Sequence, residues 1–204
     1  MKEIKYYITK SGKCPFKIWF NSLDKSILTR IDKRLIRLTE DNYGEFKQLD
    51  SNISELKINF GSGYRIYYTE KNDVIIILLC AGDKKHNQKI FKKQRNILKI
   101  GKDVKMANNY INFEDDLVER LQDPEYQREF LNVALEEYIE DGDFKSFFKS
   151  LEYVIKARGN VSEFAQKVNL NRRNLYEIFK GEQKPQLDTV IKILKELGYS
   201  LKVA

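Results

Sequence analysis

The spacing of apolar and polar positions changes several times along this chain, and each change predicts a different element. Residues 2–8, KEIKYYI, read as a strand; Pro15 then opens a helical stretch in which Phe16, Trp19, Phe20 and Leu23 recur at helical spacing. A second helix follows, with Ile27, Leu28, Ile31, Leu35, Ile36 and Leu38 toward a core and Arg30, Lys33, Arg34 and Arg37 interleaved. From Ser54 the period becomes two. In SELKINF, Leu56, Ile58 and Phe60 alternate with Lys57 and Asn59; in YRIYYT, Tyr64, Ile66 and Tyr68 alternate with Arg65 and Tyr67. The intervening GSG reads as a three-residue hairpin connection whose glycines can take positive φ. Placing Phe60 opposite Tyr64 puts the two alternations in phase, so one face is apolar and the other carries Lys57, Asn59, Arg65 and Tyr67. A turn at EKND leads to VIIILL, an unbroken run suited to a central strand buried on both sides. Lys84, Lys85 and His86 follow at its end, ahead of a basic terminal helix.

The second half is helical throughout. Asp123-Pro124-Glu125 combines an N-cap acceptor, a proline for the first helical position and an acid against the helix dipole. That helix should run to about Glu140 and stop at Gly142. Asp143 can cap the next, whose apolar stripe is Phe144, Phe147, Phe148, Leu151, Val154 and Ile155; Gly159 ends it, and Asn160 with Glu163 resembles a capping box. In VSEFAQKVNLNRRNLYEIFKG, Ala165, Asn169, Leu175 and Ile178 stand where a helix-turn-helix needs a small crossing residue, a residue tolerant of a left-handed turn, and two apolar contacts. Asn171 would cap the recognition helix. Asn171 and Tyr176 are then candidates for phosphate contact, Arg172, Arg173 and Asn174 for base edges, and Lys180 is a further polar position of that helix.

Charge divides the chain as the periodicity does. Residues 1–105 hold 23 Lys+Arg against 12 Asp+Glu, whereas 106–204 hold 14 against 18. The acid is concentrated between Glu114 and Asp143, with 12 acidic residues and 2 arginines, and the chain turns basic again beyond it. The two methionines are Met1 and Met106, one opening each half. With 204 residues the chain has room for two domains of about 100 residues each. Cys14 and Cys80 form no metal or redox spacing and suit a reducing cytosol as packing residues, so no metal or cofactor is expected. The longest apolar run, Val74 to Ala81, is too short to span a bilayer and the N-terminus lacks a signal core, which predicts a cytoplasmic protein without membrane contact.

The element order, together with FGSGYRIYY and LLCAGDKKHNQKIFKK, resembles the RelE/ParE superfamily of bacterial toxins, and more narrowly the HigB-like addiction-module killer proteins related to phage Gp49. That resemblance covers about residues 1–100 and implies a ribosome-dependent endoribonuclease acting on mRNA, or, as in ParE relatives, a gyrase poison. Metal-free RNA cleavage needs a group to take the 2′-hydroxyl proton, cations to hold charge on the phosphoryl centre and an acid for the leaving oxygen. Arg65 fits the second task because its fork matches phosphate oxygens. Lys84 and Lys57 could be phosphate ligands or proton-transfer groups, and Tyr67 could stack on a base. His86, the single histidine, sits in a lysine-rich turn and reads as a solvated residue.

The stretch from ALEEYIEDGDFKSFF through KARGNVSEFAQKVNLNRRNLY to PQLDTVIKILKELGYSL resembles addiction-module antidote proteins of the HigA-like kind. Asn171 replaces a serine usual there, and Gln183-Lys184 replace the Gly-Asn before the proline. The expected fold is therefore α+β: a RelE-like domain over 1–100 (antiparallel sheet with helices), a linker over 101–113, and an all-α antitoxin domain over 114–204 with its helix-turn-helix at 161–180. Extended, the stretch from Leu98 to Phe113, about 16 residues, reaches roughly 50 Å, enough for the acidic segment to fold back on the basic half. The implied partners are ribosome and mRNA for the first half, operator DNA for the second, a toxin–antitoxin contact within or between chains, and a homodimer or higher assembly. A transcription regulator with an inert toxin fold is the remaining alternative.

Overall fold

A computed structural model of the chain describes residues 2–50, 53–71, 74–83 and 110–200, and divides it into two compact units, Met1–Asp116 and Leu117–Ala204. The architecture is mixed α+β, with a sheet of six strands and eight helices among the described residues.

In the first unit β1 (Glu3–Tyr7) leads to α1 (Pro15–Phe20) and α2 (Lys25–Thr39). Pro15 occupies the first turn of α1, where its missing N–H costs nothing. Then come β2 (Phe46–Gln48), β3 (Ser54–Ile58), β4 (Tyr64–Lys71), β5 (Val74–Asp83) and β6 (Tyr110–Asn112), in the sheet order β2-β3-β4-β5-β1-β6. β5 lies between β4, which it pairs antiparallel, and β1, which it pairs parallel with Glu3 opposite Val74. The core is aromatic where α1 meets β1. The Phe16 ring lies 4.6 Å from Tyr6, 5.8 Å from Trp19 and 5.5 Å from Phe20, and Tyr6, Phe16 and Phe20 are fully buried.

Besides the parallel β1–β5 pair, in a sheet expected to be antiparallel, three features differ from the sequence-based expectation. The β3–β4 register pairs Ile58, not Phe60, with Tyr64. The slip is by two residues, so the apolar and polar faces stay as the alternation predicts, but the connection is five residues long and closes with Gly63 N donating to Phe60 O at 2.9 Å. β2 is an additional edge strand whose exposed residues carry no periodic signal. The third is β6: Tyr110–Asn112, assigned by sequence to a linker, pair with β1 instead. The basic helix expected after β5 lies outside the described residues.

The second unit takes over inside α3 (Phe113–Arg120) and continues through α4 (Pro124–Asp141), α5 (Phe144–Arg158), α6 (Val161–Lys167), α7 (Arg172–Phe179) and α8 (Leu187–Glu196). Side-chain caps set the starts: Asp123 accepts from Glu125 N, Asp143 from Ser146 N, Asn160 from Ser162 N and Asn171 from Arg173 N. Gly142 takes the left-handed conformation that stops α4. Phe130, Phe148, Leu151, Val154, Leu175, Ile178 and Ile193 fill the core. Arg158 ties it together, donating to Gln127 Oε1 at 2.8 Å and to Leu197 O at 2.7 Å. Among the described residues no helix is long and apolar enough to cross a membrane.

Candidate functional site

Two surfaces gather the residues singled out by sequence. The first is the polar face of β3 and β4. Lys57 lies directly opposite Arg65, and Glu55 opposite Tyr67. Two cations facing each other across a ladder repel, and carboxylates offset that cost. Lys57 Nζ donates to Glu45 Oε1 at 2.6 Å, Asn59 Nδ2 donates to Glu45 Oε2, and Arg65 Nε lies 3.5 Å from Glu55 Oε1. Arg65 Nη1 also donates to Tyr64 O at 2.9 Å, and its side chain is only 12% exposed. The face is thus a cluster of two cations and two carboxylates, not a bare cationic patch. The Arg65 guanidinium is held in place by backbone and carboxylate together.

Sequence reasoning missed both glutamates. Glu55 was legible, since it stands two residues before Lys57 on the same strand face. Glu45 gave no such signal, because it precedes a strand without periodicity. Tyr67 needs a correction: it is 4% exposed and sits where the β4–β5 register shifts between Ile66 and Tyr68, so its ring is packed inside the fold and offers no face for a base to stack on. Lys84 and His86 lie outside the described residues. β5 carries the chain toward Lys84, with Gly82 opposite Arg65 and Asp83 opposite Tyr64. Cys14 is buried, which pushes its thiol pKa up and suits packing.

Hydrogen bonds from Lys57 and Asn59 hold the Glu45 carboxyl below the ordinary glutamate value. A depressed folded pKa adds stability that is present above the unfolded value and is lost as pH falls through the folded one. The Glu45–Lys57 contact should therefore persist below the pH at which a free glutamate protonates and open only in stronger acid. Carboxyl-carbon NMR is expected to show a Glu45 midpoint below that of free glutamate, returning to it in Lys57→Met/Asn59→Ala; an ordinary midpoint in the unsubstituted chain would contradict the contact.

The second surface is α7. Asn169, at φ 53, makes the turn between α6 and α7, and Ala165, Leu175 and Ile178 are buried at the crossing. Asn171 caps α7 through Arg173 N at 2.8 Å. Arg172, Arg173, Asn174 and Lys180 are exposed. Arg172 lies over the Tyr176 ring at 5.5 Å, and Arg173 Nε donates to Glu177 Oε1 at 2.9 Å. Both contacts hold long basic side chains along the outer helix face.

Residues 18–100 match the family model described as phage derived protein Gp49-like, and residues 111–204 match the one described as probable addiction module antidote protein. An uncharacterized protein of Haemophilus influenzae is 37% identical to this chain over 81 residues, covering 39% of this chain and 82% of that protein. No solved structure matches the chain. With a Gp49-like toxin-family segment leading into an antidote-family segment, the chain belongs to the addiction-module proteins and is a toxin–antitoxin module in a single polypeptide.

Proposed function

We propose that the first unit is a HigB-like, ribosome-dependent mRNA endoribonuclease, and that the second is a HigA-like antidote that silences it and represses its own operon. The observation that carries the nuclease reading is the cross-strand pair Lys57–Arg65, with Glu45 and Glu55 attached to it. Arg65 would hold charge developing on the phosphoryl oxygens, Lys57 would bind an adjacent phosphate, and Glu55, next to Arg65, is a carboxylate able to take the 2′-hydroxyl proton. Lys84 follows directly on Asp83 and would serve as a further phosphate ligand or leaving-group acid. The test is induction of residues 1–105 in cells with mapping of mRNA 5′ ends. New in-frame ends and growth arrest are expected, both abolished by residues 106–204 supplied in trans. Intact mRNA with altered plasmid supercoiling would point to a gyrase poison instead.

The repressor reading rests on α7. The caps and the Asn169 turn support a helix-turn-helix at 161–180, with Arg172, Arg173 and Asn174 reaching base edges and Asn171, Tyr176 and Lys180 near phosphates. α8 leaves Leu187 and Ile191 exposed one turn apart, which supports contact with a second copy and a two-fold operator. Arg173→Ala is expected to weaken binding to the DNA upstream of the gene by about 1–3 kcal/mol, as read by fluorescence anisotropy at fixed salt. Unchanged affinity in both Arg172→Ala and Arg173→Ala would remove α7 from the interface.

A further inference from the structure

The first unit extends to Asp116, whereas the antidote-family match already begins at residue 111. Residues 111–116 are therefore antidote by sequence and part of the toxin unit by structure. Each successive part of this short stretch makes a different kind of contact. Tyr110–Asn112 form β6 along the outer edge of β1, with Ile111 opposite Tyr6 and Asn112 opposite Lys5. Asn112 Nδ2 donates to Glu3 Oε1 at 3.2 Å, and its Oδ1 accepts from Glu114 N at 2.8 Å, turning the chain from strand into helix. Phe113 is 1% exposed and meets the Tyr6 ring edge-on at 6.2 Å between centroids. Asp116, with a side chain 3% exposed, accepts from Lys17 Nζ on α1.

We propose that residues 110–116 are the docking segment by which the antidote grips the toxin, and that the β1 edge with the adjoining face of α1 is the surface that receives it. Strand addition supplies affinity through main-chain bonds, and the side chains supply selectivity. An unpaired β1 edge would invite other strands. The Phe113 ring and the pairing of Lys17 with the buried Asp116 carboxylate restrict that edge to a segment with an aromatic residue and an acid in the right register. Removing Lys17 would take a cation away from a carboxylate whose side chain is only 3% exposed. In the sheet order, β5 and β1 separate β6 from β4, so this segment lies roughly 14 Å from the strand bearing Arg65 at ordinary strand spacing. It anchors the antidote without itself covering the Lys57–Arg65 face. The inference rests on the toxin–antidote assignment of the two halves but needs no particular toxin chemistry.

The experiment uses the full chain with a site-specific protease sequence placed between residues 101 and 109, cleaved after purification. The two fragments are expected to co-elute at micromolar concentration. Phe113→Ala should raise their dissociation constant by about a hundredfold or more. Asp116→Lys should separate them, and Lys17→Asp/Asp116→Lys should bring them back together. Should Phe113→Ala unfold a fragment, the charge exchange alone decides. Separation of the unsubstituted fragments on cleavage overturns the proposal. So does co-elution that is equally tight with and without Asp116→Lys, which would place the grip elsewhere. The readout is association, so a first unit that binds through 110–116 but cuts no mRNA would sink the nuclease reading and leave this one standing.

Discussion

On the proposed nuclease reading, cleavage of mRNA by the released first unit is expected to fall by about two to three orders of magnitude when Arg65 becomes alanine, the loss seen when a fixed donor to a developing oxyanion is removed. Arg65 is not a loose surface side chain. It is 12% exposed, donates to Tyr64 O at 2.9 Å and lies 3.5 Å from Glu55. Its fork is thus already oriented, so on that reading little reorganisation would remain at the moment of reaction. Arg65→Lys keeps the charge but loses the bidentate geometry, and should recover only part of the rate. Primer extension on mRNA with purified ribosomes measures both variants, with circular dichroism to check that the sheet is intact. An Arg65→Ala unit that cuts as fast as its parent would take Arg65 out of the chemistry.

Phe16→Ala is expected to destabilise the first unit by about 3–5 kcal/mol. Phe16 is fully buried and touches Tyr6, Trp19 and Phe20, so truncation opens a cavity walled by rigid rings with little freedom to collapse. Ile18, on the same helix, is 62% exposed, and Ile18→Ala should stay within about 0.5 kcal/mol. Urea unfolding followed by Trp19 fluorescence compares the two. Equal midpoints for the two variants would mean that α1 does not carry the core of this unit.

Local chemistry made much of this legible in the sequence. Helix starts at Asp123, Asp143, Asn160 and Asn171 follow from side chains able to accept from the first turn, and the structure shows each accepting there. The left-handed turn falls on Asn169 because asparagine tolerates positive φ. The faces of β3 and β4 follow from a period of two, which survives a slip of two residues; the register itself depends on turn closure at Phe60–Gly63, which composition does not specify. Tyr67 reads as polar-face by alternation and is nonetheless buried, at the point where the β4–β5 register shifts. The segment 110–112 was hidden for a different reason. Three residues are too few to show a period, and their partner, β1, lies at the other end of the unit's sequence. Charge counting found the acidic stretch but not that one of its members, Asp116, is buried against Lys17.

The position of β1 also sets a timetable for synthesis. β1 is translated before both of its neighbours: β5 ends at Asp83 and β6 begins at Tyr110. At about 5–20 residues per second, the ribosome makes the stretch between them in roughly one to five seconds. β1 therefore acquires its outer partner only when the first antidote-family residues emerge. In a polypeptide so ordered, the sheet of the first unit is completed in the same few seconds in which the antidote-family segment begins to emerge.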